Sequence, residues 1–437
     1  MKKPCLLAFA LLIATVLQSQ DTIRLTVCTN FWKNGEAITG STIYGGNQSQ
    51  FMQFDLDDTQ HCAEFEFVIS EFGTDTFITF SAFYEDEKLK GIDMLDVLKL
   101  SRHILGIQIL PTVGILAGDV NKSNAITTFD IVELRKLISG IYQTFPNQMV
   151  PWKFLPDYFV SELNPVNPLG GPTVPQQISI NKLQQYDGDT LHLIGYKVGD
   201  VDGSVFLASN YTDSIRFLLP DILLNSGVPV SVPVYIESDF DYSVLQLQLD
   251  GLQSIIEFDS ILFNQLYSAI FNNPQDYNMR LLANDMIHLS PGTPLFYIYI
   301  TPNQTILLKD AVKLSQSGIE SFIADDECKP YQIVLEFRTN VAVVEPDSET
   351  FKVLKVSPNP FIDKAQIELS LASRAPVLLE VFDLSGMLLY SSNTELQAGA
   401  QQLEIPGGSF PENSMLLYRI SAGGQSYAGR LYKSAKQ

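Results

Sequence analysis

From Ile23 onward the chain alternates apolar and polar residues in short runs: IRLTV (Ile23–Val27), FMQFDL (Phe51–Leu56), AEFEFVI (Ala63–Ile69) and TFITFSAFY (Thr76–Tyr84). A period of two with turn residues between runs predicts strands with one buried face, so residues 20–84 are expected to form a small β-sandwich. The period then changes. Val97, Leu100, Ile104 and Ile107, and again Ile131, Leu134, Ile138 and Ile141, recur at helical spacing and predict two helices within residues 85–204. Gly140 is a natural stop for the second. Strand patterns return in SIRFLLP, VPVSVPVYIE, SVLQLQLD, LFYIYI and QIVLEF, which predict a second sandwich over residues 205–338. TNVAVVEPDSET reads as a linker over residues 339–350, and residues 351–437 are strand-like again. The expected fold class is mainly β, a multi-domain series of β-sandwiches interrupted by one helical pair.

Between Gln143 and Tyr196 the chain is rich in Pro, Asn and aromatic residues and has few periodic runs, so an irregular crossing strap is expected. Trp152, Phe154, Tyr158 and Phe159 in it are either a platform for sugar rings or aromatics packed on a neighbouring core, the commoner role in such segments.

The helices carry the candidate chemistry. In GDVNKSNAITTFDIVELRKLISGIY, counting from Asp119, side-chain oxygens fall at positions 1 (Asp119), 3 (Asn121), 5 (Ser123), 9 (Thr127) and 12 (Asp130), and Ala125 at position 7 offers its carbonyl. That is the spacing of a calcium loop, in which a hard cation gathers six to eight oxygens at about 2.3–2.6 Å. Asn124 takes position 6, where Gly is usual, and Asn tolerates the left-handed backbone needed there.

Thirty-four residues earlier the helical half recurs, Gly91–Ile107 aligning with Ala125–Ile141. Positions 1, 3 and 5 of this copy map to Glu85, Glu87 and Leu89, so only Asp93 and Asp96 at positions 9 and 12 look like ligands. Far downstream GDVDGS repeats the opening of the intact loop, with Asp200, Asp202 and Ser204 at positions 1, 3 and 5 and no helix after it. Either these three join Asp93 and Asp96 in a split second calcium site, or GDVDGS is a polar turn built of ordinary turn residues.

The duplicated loop-helix unit resembles a dockerin domain, and more closely the diverged dockerin-like pairs of large secreted Bacteroidetes proteins. The resemblance implies a Ca²⁺-ordered helical pair whose Lys99, Ser101, Arg102, Glu133, Arg135 and Lys136 face a cohesin-like partner. The N-terminal strands resemble the immunoglobulin-like or prealbumin-like module that precedes such pairs. Residues 205–338 resemble the cohesin and carbohydrate-binding-module type of sandwich, which makes a polysaccharide the other candidate partner.

VSPNPF (Val356–Phe361), VFDLSG and LLYRI before a Gly-rich turn resemble, in that order, the type A C-terminal sorting domain of the type IX secretion system. This implies that residues 351–437 engage that machinery and are removed on delivery. Other features agree with export. Lys2 and Lys3 precede an apolar run, Leu6–Leu17, ahead of Ser19, which reads as a signal peptide over residues 1–19, too short to span a bilayer. No other stretch is a transmembrane candidate. The expected location is the outer cell surface or the medium.

Net charge is −21, and residues 351–437 hold eight basic and seven acidic side chains, so the acidity belongs to the rest of the chain. Such a field repels nucleic acid and favours cations. Cys28 and Cys62 lie on strands of one domain, and an oxidising destination permits a disulfide if their Cα atoms come within about 7 Å. The sequence leaves that pairing open. Four scattered histidines, with no HExxH, GxSxG or P-loop, give no catalytic constellation, and no enzyme activity is expected. Two functions remain: a calcium-stabilised surface protein for adhesion or scaffolding, or a carbohydrate-binding accessory protein docking onto a polysaccharide-degrading assembly.

Overall fold

The computed structural model describes residues 22–435 apart from 49, 69–76, 147–148, 172, 208–210, 212, 264–269, 276, 285, 340–350, 384–386 and 424. The expected signal peptide, nearly all of the expected linker and the end of the VFDLSG turn lie outside the described residues. The chain divides into two compact units.

The first unit takes residues up to Tyr84, Phe154–Glu162 and Val174–Gly195. Its strands are β1 (Thr22–Phe31), β2 (Thr42–Gly46), β3 (Phe51–Asp55), β4 (Cys62–Val68), β5 (Ile78–Phe83), β6 (Trp152–Pro156), β7 (Ile178–Ile180) and β8 (Thr190–Lys197). They form two four-stranded sheets, β4-β1-β8-β6 and β3-β2-β5-β7. Phe65 and Phe67 of β4 meet Phe80 of β5 edge-on, at 5.1 and 6.0 Å between centroids, and all three are fully buried. Cys28 and Cys62 stand opposite each other across β1 and β4 and form a disulfide.

The strap expected between Gln143 and Tyr196 is corrected here: it supplies β6, β7 and β8. β8 runs parallel to β1, far away in sequence, so no hairpin turn announces the pair and only a short run of alternation marks it. Trp152 and Phe154 are buried, which decides for packing over a sugar platform at those two positions, while Tyr158 is exposed.

The second unit takes Glu85–Lys153, Leu163–Thr173 and Tyr196–Gln437. Its sandwich strands are β9 (Ser214–Pro220), β10 (Leu223–Leu224), β11 (Val230–Ile236), β12 (Phe240–Tyr242), β13 (Val244–Gly251), β14 (Ile256–Phe263), β15 (Ile270–Gln275), β16 (Asn278–Ala283), β17 (Ile287–Leu289), β18 (Phe296–Pro302), β19 (Ile306–Leu307), β20 (Val312–Leu314), β21 (Phe322–Ala324) and β22 (Pro330–Arg338). β11 pairs with β18 through Val230–Val234 and with β9 through Tyr235 and Ile236, so it turns the corner between the sandwich's two sheets. Phe217, Val232, Leu247, Phe258, Leu281 and Ile298 belong to the buried core between them.

Seven strands complete the chain: β23 (Phe351–Ser357), β24 (Lys364–Leu371), β25 (Ala375–Asp383), β26 (Leu388–Leu396), β27 (Gly399–Pro406), β28 (Ser414–Ala422) and β29 (Gln425–Lys433). They enclose a core of their own around Phe361, Ile367, Leu379 and Ile420. β29 pairs antiparallel with β14, Ile261 facing Ala428 and Phe263 facing Ser426, so one sheet runs from the sandwich into the C-terminal strands.

Among the described residues, three helices of seven or more residues precede the sandwich: α1 (Met94–Ile104), α2 (Thr112–Gly118) and α3 (Thr128–Ser139). α2 has no polar face, six of its seven residues being buried, so it leaves no stripe to read. α1 and α3 pack on each other and on the sandwich. Gln246 Oε1 accepts the Met94 amide at 3.0 Å, and Asn272 Nδ2 and Arg280 Nη1 donate to the carbonyls of Ser139 and Ile138, each at 2.9 Å. Val97, Leu100, Leu134 and Ile138 are fully buried as the stripe predicts, but Ile104 and Ile107 are 36% and 69% exposed because α1 ends there, at a left-handed Gly106. No helix among the described residues is long and apolar enough to cross a membrane.

Candidate metal centre

The intact loop closes on its own backbone. Asp119 accepts the amides of Ser123 (2.8 Å) and Asn124 (3.0 Å), and Ser123 Oγ donates to the Ala125 carbonyl (3.0 Å). Asn121 Oδ1 accepts the Ser123 amide, and Asn124 has the left-handed φ of 59° expected at position 6. Asp130, fully buried, accepts the amides of Asn121 (3.2 Å) and Thr127 (2.9 Å). Thr127 and Asp130 thereby form a capping box at the start of α3. Burial raises the pKa of Asp130 above the usual carboxylate range.

The same pattern recurs in two pieces. Asp200 accepts the amides of Ser204 (2.8 Å) and Val205 (3.1 Å), as Asp119 does from Ser123 and Asn124. Asp93 and Asp96 form the capping box of α1, Asp96 accepting the Asp93 amide at 2.9 Å. Asp96 Oδ1 accepts the Val201 amide at 2.8 Å, a bond between residues 105 positions apart. Ser204 Oγ donates to the Gly91 carbonyl at 3.1 Å, which matches the bond from Ser123 to Ala125. The structure thus brings Asp93, Asp96, Asp200, Asp202 and Ser204 together, and GDVDGS is more than a surface turn.

Gly91 carries no ligand side chain, although the 34-residue alignment sets it on Ala125 at position 7. Its φ is +73°, and a Cβ there would lie 2.5 Å from the Val205 Cα. Only glycine lets the two half-loops approach so closely. Gly91→Ala is expected to cost about 2 kcal/mol from strain and overpacking. Thermal unfolding of the variant, beside calcium titration, checks this, with the intact loop unaffected.

Carboxylate oxygens of Asp96, Asp200 and Asp202 lie within 4.8 Å of one another. Burial first, then the neighbouring carboxylates, raises Asp96 and Asp200 well above the usual range, and burial with Asp202 pushes Asp93 up to about 7. Asp202 is buried too, but the Lys99 ammonium bonded to its Oδ2 outweighs burial and holds its pKa low. Asp202 Oδ1 is buried and, among the described residues, accepts no hydrogen bond. A cluster of buried oxygens that repel one another, with one left unpartnered, fits a hard cation such as Ca²⁺. Asp93, Asp96, Asp200, Asp202, Ser204 and the Gly91 carbonyl would hold it in the split loop. Asp119, Asn121, Ser123, the Ala125 carbonyl and Asp130 would do so in the intact one.

The segment that carries Asp200 is anchored by residues outside the calcium-loop pattern. Lys197, fully buried, donates to Asp86 Oδ1 (2.7 Å) and to the Glu87 carbonyl (2.7 Å), and Trp152 Nε1 donates to Asp86 as well (2.9 Å). Glu85–Glu87, which aligns with the first loop positions but lacks their ligands, has become an anchor. The single available signal was a lysine three residues before an aspartate that needs placing. Of the six helix residues expected to face a partner, Lys136 is buried and Lys99, Ser101, Arg102, Glu133 and Arg135 are half-buried. Lys99 pairs with Asp202, and Lys136 is buried against Glu133 (2.8 Å).

No protein-family model and no curated protein matches the chain. Solved structures similar to part of it are cohesins. The sixth cohesin of Acetivibrio cellulolyticus scaffoldin B, solved in complex with a dockerin mutant, has a TM-score of 0.24 and 13% identity, and covers 28% of this chain and 94% of that one. A non-cellulosomal cohesin of the archaeon Archaeoglobus fulgidus has a TM-score of 0.23 and 17% identity, covering 28% and 86%.

Proposed function

We propose that the protein is a calcium-locked, non-catalytic modular protein of the cell exterior that serves adhesion or scaffolding through its β-sandwiches. The observation that carries this reading is the split loop, where residues 91–96 and 200–205 repeat four bonds of residues 119–130, and Asp96 accepts the Val201 amide where Asp130 accepts that of Asn121, one position further on. Calcium at both loops fastens α1 and α3 and the Asp200 segment into one rigid piece against the sandwich. Export by the type IX system through residues 351–437, with arrival at the outer surface or in the medium, completes the reading on the motifs of that segment. Docking onto a polysaccharide-degrading assembly through the helices has less support, because the sandwich of the same chain already holds both helices through Gln246, Asn272 and Arg280.

Calorimetric titration of the chain with calcium tests this. Two binding events are expected, one lost in Asp130→Ala and the other in Asp200→Ala. A single event indifferent to Asp200→Ala reduces the split loop to a hydrogen-bonded joint, and a silent titration removes calcium from the reading altogether.

A further inference from the structure

The intact loop holds two carboxylates, Asp119 and Asp130, the split loop holds four, Asp93, Asp96, Asp200 and Asp202, and a lysine sets the two apart as well. At the 34-residue offset Lys99 corresponds to Glu133, which turns away to pair with Lys136 on its own helix. Among the described residues, Asp119 and Asp130 accept bonds from backbone amides and from the Thr127 hydroxyl. Lys99 stands three residues after Asp96 on α1, on the same face of the helix, and its ammonium bonds Asp202 of the other half-loop.

We propose that Lys99 is a tethered counter-cation of the split loop: its ammonium ties Asp202 to α1 when calcium is absent, and calcium must displace it to bind. The inference rests on the calcium reading of that loop. Lysine suits the task because its charge is compact and its four-carbon stem is flexible. One ammonium cannot replace a cation that gathers six to eight oxygens. It answers Asp202 Oδ2 and leaves Asp202 Oδ1 buried without a partner, with Asp93, Asp96 and Asp200 still crowded together. The Lys99 side chain keeps 20% of its surface exposed, so a displaced ammonium has a way out to water. The two loops then have different duties. The intact loop fills at low calcium and stays filled, and the split loop closes only when calcium outcompetes the lysine.

The test is calcium titration of the full chain, with thermal unfolding in chelator, for the parent, Lys99→Met and Lys99→Arg. Lys99→Met is expected to tighten the weaker of two binding events about tenfold and to lower the unfolding temperature in chelator. Lys99→Arg, which keeps the charge, is expected to leave the weaker event near its parental affinity. A Lys99→Met protein that unfolds in chelator and refolds in calcium supports the same conclusion. Two binding events that Lys99→Met does not move, or that both variants move equally, overturn it. Absence of a second event in both parent and Lys99→Met overturns the calcium reading of the split loop and the competition with it. That outcome is distinct, because failure of the lysine role alone leaves both events in place.

Discussion

In a chelating buffer the protein will lose stability as the pH rises from about 4, the ordinary aspartate value, through 7 and beyond, and calcium will abolish the loss. A carboxyl whose pKa is higher folded than unfolded holds its proton more tightly in the folded state. Its penalty is therefore absent below the unfolded pKa and complete above the folded one. Asp93, pushed up to about 7, and Asp96 and Asp200, raised well above the usual range by burial and their neighbours, all act in this direction. Asp202 works the other way. Held low by Lys99 against its own burial, it adds stability above the ordinary aspartate value that is lost as the pH falls through its folded pKa. Calcium binds the ionised carboxylates, so its affinity will climb over the window in which chelated protein weakens. Thermal unfolding from pH 4.5 to 8.5, with chelator and with calcium, checks both signs. A chelated protein whose unfolding temperature is flat over that range excludes a buried carboxylate cluster as the source of calcium dependence.

Asp96→Ala will be the most damaging single substitution in the helical region when calcium is present, at about 5 kcal/mol. Three losses add: about 1 kcal/mol for the cap of α1, about 2 for a Val201 amide left buried and unpaired, and about 2 to 3 for calcium no longer held at concentrations well above its dissociation constant. The contrast with Asp130→Ala is informative. Asp130 also caps a helix and serves a loop, but every bond it makes lies within 119–130, whereas Asp96 fastens a segment 105 residues away. Denaturant unfolding should rank Asp96→Ala well below Asp130→Ala in calcium. The gap will narrow in chelator at pH 8, where removing a crowded carboxylate brings relief of its own.

Wherever a periodic run stood alone, the fold was legible. Ile23–Val27, Ala63–Val68 and Val244–Asp250 all lie in strands close to their expected bounds, and Gly140 ends α3 with the left-handed φ its place suggested. Elements whose partners are distant were not legible. β8 pairs with β1 across most of the first unit, and α2 is buried on every side. In SVLQLQLD alternation implies a wet face, yet Gln246 and Gln248 are buried. Gln246 meets α1, and Gln248 is satisfied by Ser315, Ser317, Ile319 and Arg280, a tertiary arrangement that a period of two does not encode. The candidate centre was readable because duplication left each half-loop recognisable by its spacing. The parts that Gly91 and Lys99 play at the split loop are not legible, because a carbonyl and a counter-ion leave no ligand signature.

The continuity of β14 with β29 bears on what a shortened chain would be. A protein ending before residue 351 keeps the sandwich core but loses the strand that covers one border of its smaller sheet. The amides and carbonyls of Ile261–Phe263 that now bond to β29 would then face solvent beside a buried apolar core, and an uncovered border of this kind recruits other strands. Asp259 and Glu257 on β14, with the acidity of the body as a whole, become the remaining guard against self-association. The C-terminal strands therefore also serve as a sheath, and a trimmed protein will depend on charge for the solubility that a full-length one gains from pairing.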